Sequence, residues 1–86
     1  MSDLARSPKQ IGSIIRRARK KRGLSQMDLS ERTGLRQGTI SLIETGNPAA
    51  RIETLLAILA ALDLDFRIGA REAGTSSADD LEDLLR

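Results

Sequence analysis

The 86-residue chain contains no cysteine and no histidine. Without thiols there is neither a disulfide framework nor a thiolate metal site. Without imidazole the usual general base, the commonest metal ligand and any Ser-His-Asp triad are gone. Carboxylates remain, but Asp79, Asp80, Glu82 and Asp83 sit in a polar stretch with no pocket around them. The chain reads as a non-enzyme, with no cofactor and no metal. Aromatics are nearly absent too, Phe66 being the single one. Proteins that hold single-stranded DNA or RNA usually stack bases on aromatic side chains, and this chain offers no such platform. Its longest apolar run, residues 55–62, has eight members, too few to cross a bilayer. The N-terminus lacks an apolar signal segment. A cytoplasmic protein with no membrane partner is expected.

What is present is small and charged. The length fits one domain with a short tail, and so small a core makes oligomerisation a reasonable expectation. The net charge of +2 conceals an asymmetry. Residues 1–71 hold thirteen basic and seven acidic side chains, a net of +6; residues 72–86 hold one and five, a net of −4. Arg16, Arg17, Arg19, Lys20, Lys21 and Arg22 fall within seven positions. Such a run reads either as a solvated helix face or as a seat for a polyanion. With no aromatic platform, duplex DNA read in a groove by polar side chains fits better than a single strand.

Four helices are signposted. Ser7-Pro8-Lys9-Gln10 places a capping serine, a proline at the first helical position and a glutamine three after the cap. Ile11, Ile14, Ile15 and Ala18 follow at helical spacing, and Gly23 suits the stop. Ser25 with Asp28 begins a second, shorter helix that ends at Thr33-Gly34. The third runs from Arg36 or Gln37 to Thr45 with Ile40 and Ile43 inward, and Gly46-Asn47-Pro48 stops it. Two residues or so between the second and third helices force a tight corner at Gly34, the helix-turn-helix arrangement. A fourth helix spans about residues 51–62, with Ile52, Leu55, Leu56, Leu59 and Leu62 expected on its buried face and Ile58 broadening it. A face that wide suggests burial against more than one neighbour.

Beyond it the period changes. Leu64, Phe66 and Ile68 alternate with Asp65, Arg67 and Gly69, as in a half-buried strand. A lone strand cannot satisfy its own backbone groups. Either the same strand of a second copy pairs with it about a two-fold axis, or the segment lies extended on its own domain. Residues 73–78 have linker composition, and Ser77 with Leu81, Leu84 and Leu85 outlines a short amphipathic turn. The expected organisation is a DNA-binding domain over residues 1–62, a dimerisation strand over 63–70 and a flexible acidic tail over 71–86.

Residues 24–46, with Ser25-Gln26 opening the second helix, Leu29, the turn glycine Gly34, a polar start to the third helix, Ile40-Ser41, Glu44 and Gly46, resemble the Cro/C1-type (XRE) helix-turn-helix family. The resemblance runs from about Ile11 to Leu62. It implies an all-α, four- to five-helix lambda-repressor-like domain, here with one C-terminal β-strand pairing across a homodimer. It also implies base contacts from Arg36, Gln37, Gly38 and Ser41, with Gln37 the main reader. Gln can be bidentate to adenine and Arg to guanine. Phosphate contacts are implied for Gln26 and Thr39, with Arg17, Lys20 and Lys21 as further backbone contacts. An exposed helix face is the plainer account of Arg36 and Thr39, and a helix-start role that of Gln26. Gly38 in mid-helix costs about 1 kcal/mol against alanine; close approach to DNA would justify it, and so would mere tolerance. Arg19 and Glu44 match a pair that in relatives forms a structural salt bridge.

The passage from such a domain straight into Leu64-Asp65-Phe66-Arg67-Ile68 and a short polar tail looks like the HipB antitoxins. Members of that family repress their own operon and hold the serine/threonine kinase toxin HipA inactive, and their strand pairs across the dimer. The resemblance therefore implies a repressor of a palindromic operator, a homodimer through Leu64, Phe66 and Ile68, and a HipA-like kinase partner. The alternatives are a stand-alone repressor, an antitoxin of another toxin class, or an interaction module that has lost DNA binding.

Overall fold

The computed structural model describes residues 3–71, and within them the chain forms four helices. The expectations for the acidic tail, its linker and the Leu81, Leu84 and Leu85 edge lie outside the described residues.

Helix α1 (Pro8–Lys21) begins where Ser7, in extended conformation, accepts a hydrogen bond from the Gln10 amide. Helix α2 (Gln26–Thr33) opens with a complete capping box. The Ser25 hydroxyl accepts from the Asp28 amide at 2.9 Å, and the Asp28 carboxylate accepts from the Ser25 amide at 2.8 Å. The Ser25 backbone N–H foremost, with the Ser25 side chain next, holds the Asp28 carboxyl below its usual range. Helices α3 (Gln37–Glu44) and α4 (Ile52–Ala61) start instead at Arg36 and Arg51, neither of which caps its helix with a side chain. Helices α1, α3 and α4 end alike. An amide beyond the helix reaches back to the carbonyl five residues earlier: Leu24 to Arg19, Asn47 to Leu42 and Leu64 to Leu59. At the end of α4 the left-handed residue is Asp63, with φ of 58°. Aspartate visits this conformation more readily than most side chains, and Arg22 faces its carboxylate at 3.4 Å.

The core is small. Ile15, Leu29, Ile40, Ile43, Ile58 and Leu62 are the buried apolar side chains, drawn from all four helices and the end of α4. Ile11, Ala18, Leu24, Leu35, Leu55 and Leu59 pack around them, half-buried. The α4 face differs from its sequence reading. Ile58 and Leu62 turn fully inward, whereas Ile52 is 73% and Leu56 46% exposed. Apolar residues occupy so much of α4 that periodicity alone does not select the face; contact with α2 does. Ile52 and Leu56, one turn apart, are left as an apolar surface stripe.

The expected strand also differs. In the single chain, residues 64–71 are not paired in any ladder. Leu64 is half-buried against the core and residues 65–71 are all exposed, with Asp65 and Arg67, two apart, pairing at 3.6 Å. Phe66 and Ile68 are 57% and 88% exposed. With one chain there is no second edge for their backbone to bond.

Two contacts fix α3 against α1. Arg19 meets Glu44 with both carboxylate oxygens engaged, Nε donating to Oε2 at 2.7 Å and Nη2 to Oε1 at 3.0 Å. Its third nitrogen donates to the Leu24 carbonyl at 2.8 Å. Both side chains are buried, and the bond to Glu44 raises the Arg19 pKa above its ordinary value. About two turns upstream, Gly12 lies under the end of α3. A Cβ there would sit 2.6 Å from the Glu44 carbonyl oxygen and closer still to that of Ile43. No side chain fits, because the obstacle is backbone.

Two outcomes follow. Glu44→Ala strands a buried guanidinium and should cost about 3–5 kcal/mol in denaturant unfolding followed by circular dichroism. Gly12→Ala, although it raises helix propensity, should also destabilise, by more than about 1 kcal/mol, since α1 and α3 must separate. An unchanged unfolding midpoint for either variant contradicts the packing described.

Candidate nucleic-acid interface

The turn between α2 and α3 is held by side chains of α2. The Thr33 hydroxyl donates to the Leu29 carbonyl at 2.8 Å and accepts from the Leu35 amide at 3.2 Å. The Ser30 hydroxyl donates to the Leu35 carbonyl. Gly34 between them takes φ of 76°, which an L side chain adopts poorly. The corner therefore needs a glycine and two hydroxyls, and it fixes the direction in which α3 leaves.

At about 100° per residue, Ile40, Ile43 and Glu44 mark the inward side of α3. The opposite side carries Gly38, Ser41, Leu42 and Thr45. Gly38, Leu42 and Thr45 are exposed and Ser41 half-buried. Nothing lies within 4 Å of where a Gly38 Cβ would stand, so no neighbour within the chain requires glycine there. The Thr45 hydroxyl folds back on the carbonyls of Ser41 and Leu42, at 3.1 and 2.9 Å. Arg36 and Gln37 are exposed at the N-terminal end. No acidic residue sits in this first turn, so the positive end of the helix is open to an anion. Thr39 lies on the other flank, half-buried, lining a shallow hollow with Leu35, Leu42 and Asn47.

Gln26, at the start of α2, is tied inward. Its Nε2 donates to Glu44 Oε1 at 3.2 Å, so Glu44 joins the first turns of α2, the end of α3 and the body of α1. One amide hydrogen and the amide oxygen of Gln26 are left for another partner. The basic residues of α1 divide between two sides. Helical spacing sets Arg16 and Lys20 beside the Gly12–Ile15–Arg19 stripe that meets α3, and Arg17 and Lys21 on the far side. Arg17 also lies 3.8 Å from Asp3, both exposed. Lys20 is thus placed nearer to α3 than Arg17 or Lys21 are. Sequence reading did not single out Gly12, although its spacing to Ile15 and Arg19 by three and seven was visible. It also did not single out Leu42, whose exposure appears only once the helix is oriented.

The helix-turn-helix family HTH_3, of the Cro/C1 (XRE) type, matches residues 15–68. Antitoxin HipB of Escherichia coli O6:H1 (strain CFT073) is 27% identical over 78 residues, covering 91% of this chain and 83% of the relative. Among solved structures, a HipB–O4 20mer complex superposes with a TM-score of 0.77 at 25% identity, over 83% of this chain and all of that one. A HipA–HipB–O2–O3 complex gives 0.75 at 28%, over 83% of this chain and all of the matched one. With the turn, the capping box and the paired ends of α1 and α3 in the same chain segment as the match, the protein belongs to the Cro/C1-type helix-turn-helix family.

Proposed function

We propose that the protein is a homodimeric, sequence-specific repressor of double-stranded DNA that acts as a HipB-like antitoxin. It would neutralise a HipA-type serine/threonine kinase and regulate its own operon. The observation that carries this is the similarity to HipB along nearly the whole chain, beyond the helix-turn-helix itself. The similarity extends to a HipB found in complex with HipA.

In this proposal the outward end of α3 enters the major groove. Gln37 is the main base reader, and Arg36, Gly38 and Ser41 lie against base edges. The open space at Gly38 suits close approach of a base pair. Thr39 and the free amide hydrogen of Gln26 are set for phosphates at the two helix starts. Of Arg17, Lys20 and Lys21, Lys20 is the best placed for the backbone, and Arg17 and Lys21 serve only a duplex that curves around the far side. The second copy would cover what one chain leaves exposed. Phe66 and Ile68 of residues 64–68 gain a ladder partner, and the Ile52–Leu56 stripe gains an apolar neighbour. Two-fold pairing sets the α3 helices for half-sites about one helical turn, ~34 Å, apart or a multiple of that.

Gln37→Ala should lose about 1–3 kcal/mol of discrimination at one position per half-site. Lys20→Ala should weaken all duplexes alike and lower the salt slope by about 1. Fluorescence anisotropy over operator variants and salt concentrations separates the two, and unchanged base preference in Gln37→Ala removes it as the reader. A tagged copy purified with nuclease from its native cell should carry a HipA-like kinase in near-stoichiometric amount. Recovery of the protein alone would make it a repressor without a toxin.

A further inference from the structure

Leu42 is 54% exposed, while the core is complete without it. It lies on the outward half of α3, nearly opposite Ile40 and about 100° round the helix from Ile43, beside the hollow that it lines with Thr39 and Asn47. A large apolar side chain there costs free energy in water unless something covers it. Gly38 lies one turn before Leu42 on the same side of the helix. Gly38 has no side chain, and the space above it is open. The two positions together make a shallow apolar step, flanked by the polar Ser41 and Thr45, on an otherwise hydrophilic face.

Among the groups exposed in the major groove, the C5-methyl of thymine is the apolar one, and apolar side chains are its natural contact. Resting on the DNA-binding role proposed above, we infer that Leu42, one turn from the open Gly38, is a specificity-determining residue that reads a thymine methyl in each half-site. A polar residue would satisfy the surface equally well in the free protein. Leucine gains only where a methyl replaces water.

The test uses the intact protein and duplexes enriched from a random pool by the wild type. Each thymine of the enriched half-site is replaced in turn by deoxyuridine, which removes the methyl and keeps the base pair. One position per half-site should weaken binding roughly fourfold, the worth of about one buried methyl. In Leu42→Ala, an exposed site whose change leaves the core intact, the same replacement should have no effect. Tolerance of uridine at every position by the wild type overturns the inference, as does a uridine penalty that persists in Leu42→Ala. Enrichment of no sequence by the wild type would overturn the DNA-binding role itself, and the inference with it.

Discussion

The guanidinium of Arg19 has five donors and a fixed plane, and nearly everything in the domain is arranged to satisfy it. Two of its nitrogens grip the Glu44 carboxylate and the third takes the Leu24 carbonyl that closes α1. Glu44 in turn holds the amide of Gln26. Three helices thus meet on one ion pair. A buried pair of this kind adds little net stability over an apolar substitute, but it tolerates one geometry only. Its value lies in where it puts α3. The backbone contact at Gly12 imposes the same limit from below, because two carbonyls occupy the space a methyl would need. The outward side of α3 is therefore held in place by charge geometry at its end and by steric exclusion beneath it.

Much of this was legible in the residues. Ser7-Pro8, Ser25 with Asp28, and Gly34 mark helix ends through local chemistry, and local chemistry does not depend on what lies across the fold. The facing of α4 was not legible. Ile52, Leu55, Leu56, Ile58, Leu59 and Leu62 cover so much of the helix that several faces qualify, and only packing decides which is buried. Residues 64–68 carry a strand's alternation, yet a strand is a relation between two segments. The chain supplies one of them. Arg19 and Glu44, separated by 25 positions, have no spacing that would reveal them; only the family resemblance pointed to the pair. Gln26 shows the opposite case. A residue assigned outward by resemblance has one of its two amide hydrogens committed inward.

The proposed interface divides into parts of different character. Arg36 and Gln37, at the uncapped start of α3, offer donors and flexible amide or guanidinium ends. Gly38 and Leu42 offer shape and apolar surface. The basic residues of α1 contribute field more than geometry, since Arg16 and Lys20 lie on one side of the helix and Arg17 and Lys21 on the other. In the proposed role, selectivity and general attraction to a polyanion would be carried by different helices. Each can change without the other.

The end of α4 carries a further implication. Asp63 holds a left-handed turn, Leu64 closes it by bonding back to Leu59, and its side chain rests on the core. The direction in which residues 65–71 depart is consequently a property of the domain, set before any other molecule arrives. A second chain that docks there meets a segment already launched along a defined line, with its first residue anchored. Little conformational freedom at the base of that segment is left to be lost on contact. Assembly through it would resemble two finished parts meeting more than a chain folding on arrival. Its speed would follow how often the copies collide in register, and hence how many of them the cell contains.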